Sequence, residues 1–495
     1  MNNLQTFRFM NTRHAIFTFS AILALLTPAL LSAETAGGDV LDLHQTIVLA
    51  LKNNYRVEDG RLAAEQADKA VTREQGVFDP KLTVTSGDFR QQYNNGMLPA
   101  GAGVQSSAGL SGALPTGTSY NVTLYTTELK NVPDADRQTT GGYVEVRQNL
   151  MKGFGWNANV APIRIAAKNA AISRLAFERD VTNLITEVNF AYFDLILAGE
   201  NARVARGSYD LAEKLCQENK QRLALKSIAE SDLYQAQAEL AARRDNLLEA
   251  ERLLGDARNN LRVLIADDPQ KAVKMSLAAA PLETPKKVDV DSANDYRHAL
   301  ALRQDYRQAV LGLDRDRIDA LRASNAALPQ VEAFAQGYWN GTDDDFKHSY
   351  DRAKDDGRPD YYAGVSMKFD LPNRTGWAER SIARKQVRRA ELTLKDLERR
   401  IAVEVDDGAR KIECDWNRIV AAREGRELAE KSLKAEQQRY DIGLSSTFVL
   451  LRLQTDLMNA QIRELMAEND YRKSVVDYQR IIGITLADNN VILPK

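Results

Sequence analysis

The chain has 495 residues, 66 of them basic and 68 acidic, with 28 Gly, 13 Pro and only 2 Cys. That charge balance gives no sign of a nucleic-acid partner, which would need a basic face, and two cysteines are too few for a disulfide framework. Mean hydropathy is −0.41, and no run after residue 33 approaches the ~20 apolar residues of a spanning helix. A polytopic helical membrane protein is thereby excluded, but a β-barrel is not, because alternating strands leave little trace in an average.

Residues 1–33 read as a secretory signal. Arg8 and Arg13 precede an apolar stretch from Ala15 to Leu31, and Leu31-Ser32-Ala33 offers a small-residue cleavage site. Its removal leaves 64 basic and 68 acidic residues. The stretch Leu41 to Gln75 then places Leu43, Ile47, Ala50, Leu51, Val57 and Leu62 near helical spacing, before Gly76 and Pro80 stop it. Residues 80–150 form a strand region with four strand-like pieces, Lys81–Gln92, Val104–Leu114, Thr118–Leu129 and Gly141–Leu150. Tyr120, Val122 and Leu124 alternate with Asn121, Thr123 and Tyr125, as on a strand with one apolar and one wet face. Residues 156–266 read as a helical hairpin. From Trp156 to about Leu225, Phe177, Val181, Leu184, Val188, Tyr192 and Leu195 recur every three or four residues, and seventy helical residues would run ~105 Å. A second helix, Ala229 to Ala266, returns after a short turn.

Residues 269–291 carry Pro269, Pro281 and Pro285 and read as an irregular linker. After it the plan repeats. Arg222 to Leu240 aligns without gaps on Arg439 to Leu457, Gly155-Trp156 on Gly376-Trp377, and the Pro80 region on the Pro329 region. The second copy therefore has a helix from Ala293 to Ala327, a strand region over 329–371 and a helical hairpin over 377–483. Its clearest strand is Tyr361 to Leu371, where Tyr361, Ala363, Val365, Met367, Phe369 and Leu371 share one face. Val331–Trp339 pairs with it across a polar connector, Asn340 to Asp360. The expected units are thus a signal (1–33), a first repeat (34–268), the linker (269–291), a second repeat (292–486) and a tail (487–495).

No catalytic constellation emerges. His44, His298 and His348 lie in three separate segments, and there is no Gly-rich phosphate loop and no G-x-S-x-G elbow. Asp343-Asp344-Asp345 lacks the spacing of a calcium loop and reads as a solvated connector. No cofactor, metal site or enzymatic activity is expected. Cys216 and Cys414 read as small helix residues, with one long-range bridge left open.

The duplicated order of helix, strands and long helical hairpin resembles the TolC-type outer-membrane efflux proteins over essentially the whole chain after the signal. Its local marks are Ala50-Leu51-Lys52-Asn53-Asn54, the Pro opening each strand region, and Arg439-Tyr440-Asp441-Ile442-Gly443-Leu444-Ser445. The resemblance implies a mainly α fold with a membrane β-barrel. Three copies would build a twelve-stranded barrel, four strands each, and a periplasmic α-barrel. It implies an outer-membrane location with outer-membrane lipid around the barrel, and a passive export duct for a tripartite efflux pump or type I secretion system. The implied partners are a periplasmic adaptor and an inner-membrane transporter of the RND, ABC or MFS type. The alternative is a structural periplasmic coiled coil or adaptor.

The resemblance also assigns residues. Ile442, Gly443, Leu444 and Ser445 match the adaptor-contacting tip, whereas the first tip, Leu225-Lys226-Ser227-Ile228, has Lys226 where the family has Gly. Ser231, Asp232 and Tyr440 match the family's closing links at the periplasmic gate, with Ser445 where an Arg would stand. Val449 and Arg452 occupy the places of two inward Asp residues, so no acidic ring is expected there, and Arg452 either forms a positive ring of three or faces a neighbouring helix and pairs with an acid. Four strand-like pieces in the first region exceed the two the family would supply. The clustered Gly101, Gly103, Gly109, Gly112 and Gly117 favour an extracellular hairpin over a larger barrel.

Overall fold

The computed structural model describes residues 39–91, 101–130, 137–226, 228–268, 270, 273, 275, 277–355, 359–442 and 444–492; the signal lies outside them. The first repeat runs β1 (Asp39–Leu41), α1 (Leu43–Asn53), α2 (Tyr55–Gln75), β2 (Lys81–Gln91), β3 (Gly101–Ala113), β4 (Thr118–Lys130), β5 (Arg137–Asn149), α3 (Trp156–Asn159), α4 (Ala161–Ala224) and α5 (Glu230–Ile265). After β6 (Leu277–Ala279) come α6 (Ser292–Leu302), α7 (Gln304–Ala326), β7 (Gln330–Asp343), α8 (Phe346–Asp355), β8 (Asp360–Lys368), α9 (Arg374–Asp441), α10 (Thr447–Ile482) and α11 (Thr485–Asp488).

Two uninterrupted helices set the length. At 1.5 Å per residue, the 64 residues of α4 and the 68 of α9 extend ~96 Å and ~102 Å. Two shorter helices lie end to end beside each of them. Where a single helix was expected over Leu41 to Gln75, the chain breaks at Asn54, which is extended at φ −77° and ψ 122°. The Asn54 side chain caps α2 by accepting from the Arg56 N–H at 2.9 Å, and it donates to the Leu264 carbonyl at 3.2 Å. Asn53 donates to the Ile265 carbonyl at 2.9 Å, so the end of α5 abuts the start of α2. The second repeat breaks likewise at Arg303 (φ −60°, ψ 127°), where α10 ends against the α6–α7 junction. Gly483 closes α10 at φ +82°, and a Cβ there would stand 3.1 Å from the Arg303 nitrogen, so glycine suits both the left-handed cap and the tight approach.

Two apolar seams hold the bundle. Val181, Leu184, Ile185, Val188 and Tyr192 of α4 pack on Ile47 and Ala50 of α1, Leu261 and Ile265 of α5 and Leu277 of β6. Ile401, Val405, Ile412 and Ile419 of α9 pack on Tyr471, Tyr478 and Ile481 of α10. Buried tyrosines tie down the linker: the Tyr192 hydroxyl donates to the Leu41 carbonyl at 2.9 Å and accepts from the Ala280 N–H at 3.1 Å, and the Tyr471 hydroxyl donates to the Lys286 carbonyl at 2.8 Å. Cys216 is buried, Cys414 is exposed, and both are free.

The strands form one six-stranded sheet in the order β2-β3-β4-β5-β7-β8, antiparallel throughout. This corrects the expected extracellular hairpin. β3 pairs along its length with both neighbours, from Lys81↔Ser111 to Gln91↔Gly101 and from Ala102↔Lys130 to Ala113↔Ser119. The glycines that suggested a loop instead make room for bulky neighbours within the sheet: a Cβ at Gly112 would sit 2.5 Å from the Tyr120 hydroxyl. The connector Asn340 to Asp360 also differs from the expectation. β7 continues to Asp343, and α8 follows because Asp345 accepts from the His348 N–H at 2.9 Å and starts a helix.

Candidate functional site

The sheet has two chemically distinct faces. Because the register is continuous, one row across all six strands reads Leu82, Leu110, Val122, Val144, Gly337 and Tyr361. The next row, on the opposite face, reads Thr83, Gly109, Thr123, Tyr143, Tyr338 and Asp360. On the apolar face Leu82, Val84, Leu124, Tyr361, Val365 and Met367 are all exposed. On the polar face Asn121 donates to the Tyr143 hydroxyl at 2.8 Å, and Arg147 pairs with Glu145 at 2.5 Å. Water tolerates the second face but not the first, and strands of 9 to 14 residues meet the ~9–11 needed to cross a hydrocarbon layer. Among the described residues no helix is long and apolar enough to cross a membrane. Phe154, Trp156 and Trp377 are exposed where strands give way to helices, the level at which barrels carry aromatic girdles.

The helix tips lie at the far end of the bundle. At the first, Lys226 holds φ +59°, the left-handed conformation that normally selects glycine. The chain thus turns here with a lysine in a conformation that glycine adopts more readily. Ser231 is exposed, and Asp232 is half-buried in the first turn of α5, where the helix dipole favours an acid. At the second tip Ile442 and Leu444 are 70% and 66% exposed, two large apolar side chains held out into solvent. Gly443 lies outside the described residues. Ser445 donates to Glu436, which fixes the return of the chain into α10.

Tyr440 is placed differently from the other candidates. It is buried, with its hydroxyl donating to Asn219 Oδ1 at 3.1 Å and its ring under the Arg222 guanidinium at 4.8 Å. Leu215, Leu450 and Leu451 surround it. It therefore links the tip of α9 to the last turns of α4, joining the two hairpins. It meets Asn219 and Arg222 and not Asp232, and those two partners were missed by sequence reasoning. A signal existed: Asn219 interrupts the apolar seam of α4 one turn after Cys216. Val449 and Arg452 follow on the first turns of α10, both exposed, and Arg452 makes no ion pair among the described residues.

Nothing in these arrangements assembles a reaction centre. Among the described residues no group of three His, Cys, Asp or Glu could hold a metal ion. Asp343 is engaged by Arg352 at 2.8 Å, and Asp345 by His348 at 2.7 Å.

Comparison with known proteins agrees with this geometry. Residues 296–483 match the family model described as outer membrane efflux protein. No curated protein matches the chain in sequence. Among solved structures, the Campylobacter jejuni CmeC outer membrane channel superposes with a TM-score of 0.70 at 16% identity, covering 89% of this chain and 85% of that one. The Vibrio cholerae outer membrane protein VceC gives 0.66 at 15% identity, over 89% and 96%. The Neisseria gonorrhoeae MtrE outer membrane channel, in its open state, gives 0.64 at 17% identity, over 89% and 88%. The fold is shared along nearly the whole length, and the similarity in sequence to the outer membrane efflux protein model is confined to residues 296–483, in the second repeat.

Proposed function

We propose that this chain is an outer-membrane efflux protein that acts as a passive duct, assembled from three copies, with its sheet in the outer membrane and its helices in the periplasm. The observation that carries the reading is the two-faced sheet leading directly into helical hairpins ~100 Å long. Lipid covers the apolar face outside the strip where α8 packs on Thr140 and Gly341, water and cargo pass along the polar one, and the helices carry the passage across the periplasm. A periplasmic rod or adaptor would have no use for an apolar face that, in the half of the sheet nearer the helices, runs exposed from Leu82 and Val84 to Val365 and Met367.

In this reading the exposed Ile442 and Leu444, with Gly443 and Ser445, dock a periplasmic adaptor, and an inner-membrane transporter loads the cargo. The tips form the gate. Tyr440, held by Asn219 and Arg222, keeps the two hairpins together in the closed state, and Ser231 and Asp232 line the neighbouring turn. Arg452, exposed beside Val449, gives a ring of three positive charges that raises the local potential and favours anionic cargo. The test is fractionation and assembly. The protein is expected in the outer-membrane fraction, running as a heat-modifiable trimer on denaturing gels. A soluble periplasmic monomer would overturn the reading.

A further inference from the structure

The sheet has two open edges. β2 ends the strand order on one side and β8 on the other, and neither outer edge has a partner among the described residues. An open edge in hydrocarbon leaves backbone N–H and C=O groups without partners, which is why membrane sheets close. Six strands are too few to close on themselves, since about eight are needed before side chains fill a barrel. The two edges complement each other. Strand direction alternates along the sheet, so β8 of one copy laid beside β2 of the next is again antiparallel. They have similar lengths, 11 and 9 residues. The apolar face also continues across the junction: Leu82 and Val84 of β2 lie on the same face of the sheet as Val365 and Met367 of β8.

We propose that β8 of each copy pairs with β2 of the next, so that three six-stranded sheets close an eighteen-stranded barrel. This rests on the three-copy reading above and departs from the twelve strands that the family resemblance implies. A twelve-stranded barrel would leave two strands of every sheet outside, yet all six share one unbroken register and one apolar face. Barrel diameter grows roughly linearly with strand number, so the lumen is about one and a half times as wide as a twelve-stranded one and holds an aqueous passage.

Face parity gives the test. In a Cys216→Ser/Cys414→Ser background, Val365→Cys is combined in turn with Leu82→Cys, Val84→Cys or Ser86→Cys, on the same face, and with Thr83→Cys or Thr85→Cys, on the other. Paired strands bring directly opposed Cα atoms to ~4.5–5.5 Å, within disulfide reach. Oxidation in membranes is expected to give a covalent ladder ending at three copies with at least one same-face pair and with neither opposite-face pair. No ladder from any same-face pair, in a protein that native mass spectrometry shows to be trimeric, overturns the seam and leaves the three-copy duct standing. A ladder ending at two copies overturns both. If the variants do not assemble, electron cryo-microscopy of the unmodified protein in lipid nanodiscs counts strands directly: eighteen are expected, and twelve overturns the proposal.

Discussion

Tyr440→Phe removes a single hydroxyl at the proposed gate. The tyrosine is 4% exposed, and its hydroxyl donates to Asn219 Oδ1 at 3.1 Å, between the last turns of α4 and the end of α9. Phenylalanine keeps the ring among Leu215, Leu450 and Leu451, and keeps the face presented to Arg222. What is lost is the bond to Asn219 and a long 3.5 Å contact with Thr447 Oγ1, and Asn219 Oδ1 is left in a buried site without that donor. Asn219 Nδ2 already has no hydrogen-bond partner among the described residues, so the amide has little to compensate with. The loss of such a bond costs about 1–2 kcal/mol. If the contact belongs to the closed tips alone, the ratio of open to closed channels rises by a factor of about 5–30. Single-channel recording in planar bilayers reads this as open probability. Combining Tyr440→Phe with Asn219→Ala should add little to either change alone, since both remove one contact. A variant with wild-type open probability but a lowered melting temperature would refute the reasoning, because the tyrosine would then merely pack the hairpins.

Further outcomes are expected elsewhere. Arg452→Ala should shift the conductance of the assembled channel from anions toward cations; unchanged selectivity contradicts a positive ring. Gly341→Leu should dislodge α8 from the sheet, because a Cβ there would lie 2.3 Å from the Ala353 nitrogen and 2.4 Å from the Ser349 oxygen. Limited proteolysis should then cut within 344–359 in intact cells, and wild-type resistance would show that the helix does not need this contact. Burial holds the Tyr192 and Tyr478 hydroxyls protonated above their ordinary range around 10.0, with Asp295 adding to the effect at Tyr478. The folded state thus binds these protons more tightly than the unfolded one. Their contribution is complete below about pH 10 and falls as pH rises beyond it. Denaturant midpoints measured between pH 8 and pH 11.5 should drop at the alkaline end, and a flat profile would refute the assignment.

Much of the architecture could be read from local pattern. The seam of α4 from Phe177 to Leu195 is visible as a three-to-four spacing, and the faces of β4 and β8 as strict alternation. The breaks at Asn54 and Arg303 could not be read, since neither is a strong helix breaker. Each is imposed where another helix, more than 170 residues away in sequence, arrives at its end. Glycine was misleading for a related reason. Gly109 and Gly112 look like loop residues until Thr123 and Tyr120 are placed across the ladder, and then they are the only residues small enough. α8 hid in a connector whose composition is polar, because only Ser349 and Ala353 are buried there. At the tips, the motif around Ile442 is local in sequence, and the structure holds that residue exposed. The partner of Tyr440 was not legible, because Asn219 lies 221 positions upstream in the other repeat.

The end-to-end arrangement of the shorter helices divides the bundle mechanically. α4 and α9 pass the equator unbroken, while their companions are jointed at the same level, where Asn53 and Asn54 meet α5 and Arg303 meets α10. Stiffness against stretching is carried by two continuous rods. Resistance to twisting is interrupted, since a jointed companion transmits little torque across a gap bridged by a few side-chain hydrogen bonds. The tip half can therefore rotate about the long helices while the sheet half stays fixed. A twist applied at Ile442 and Leu444 is spent at the equator and spares the seams between strands.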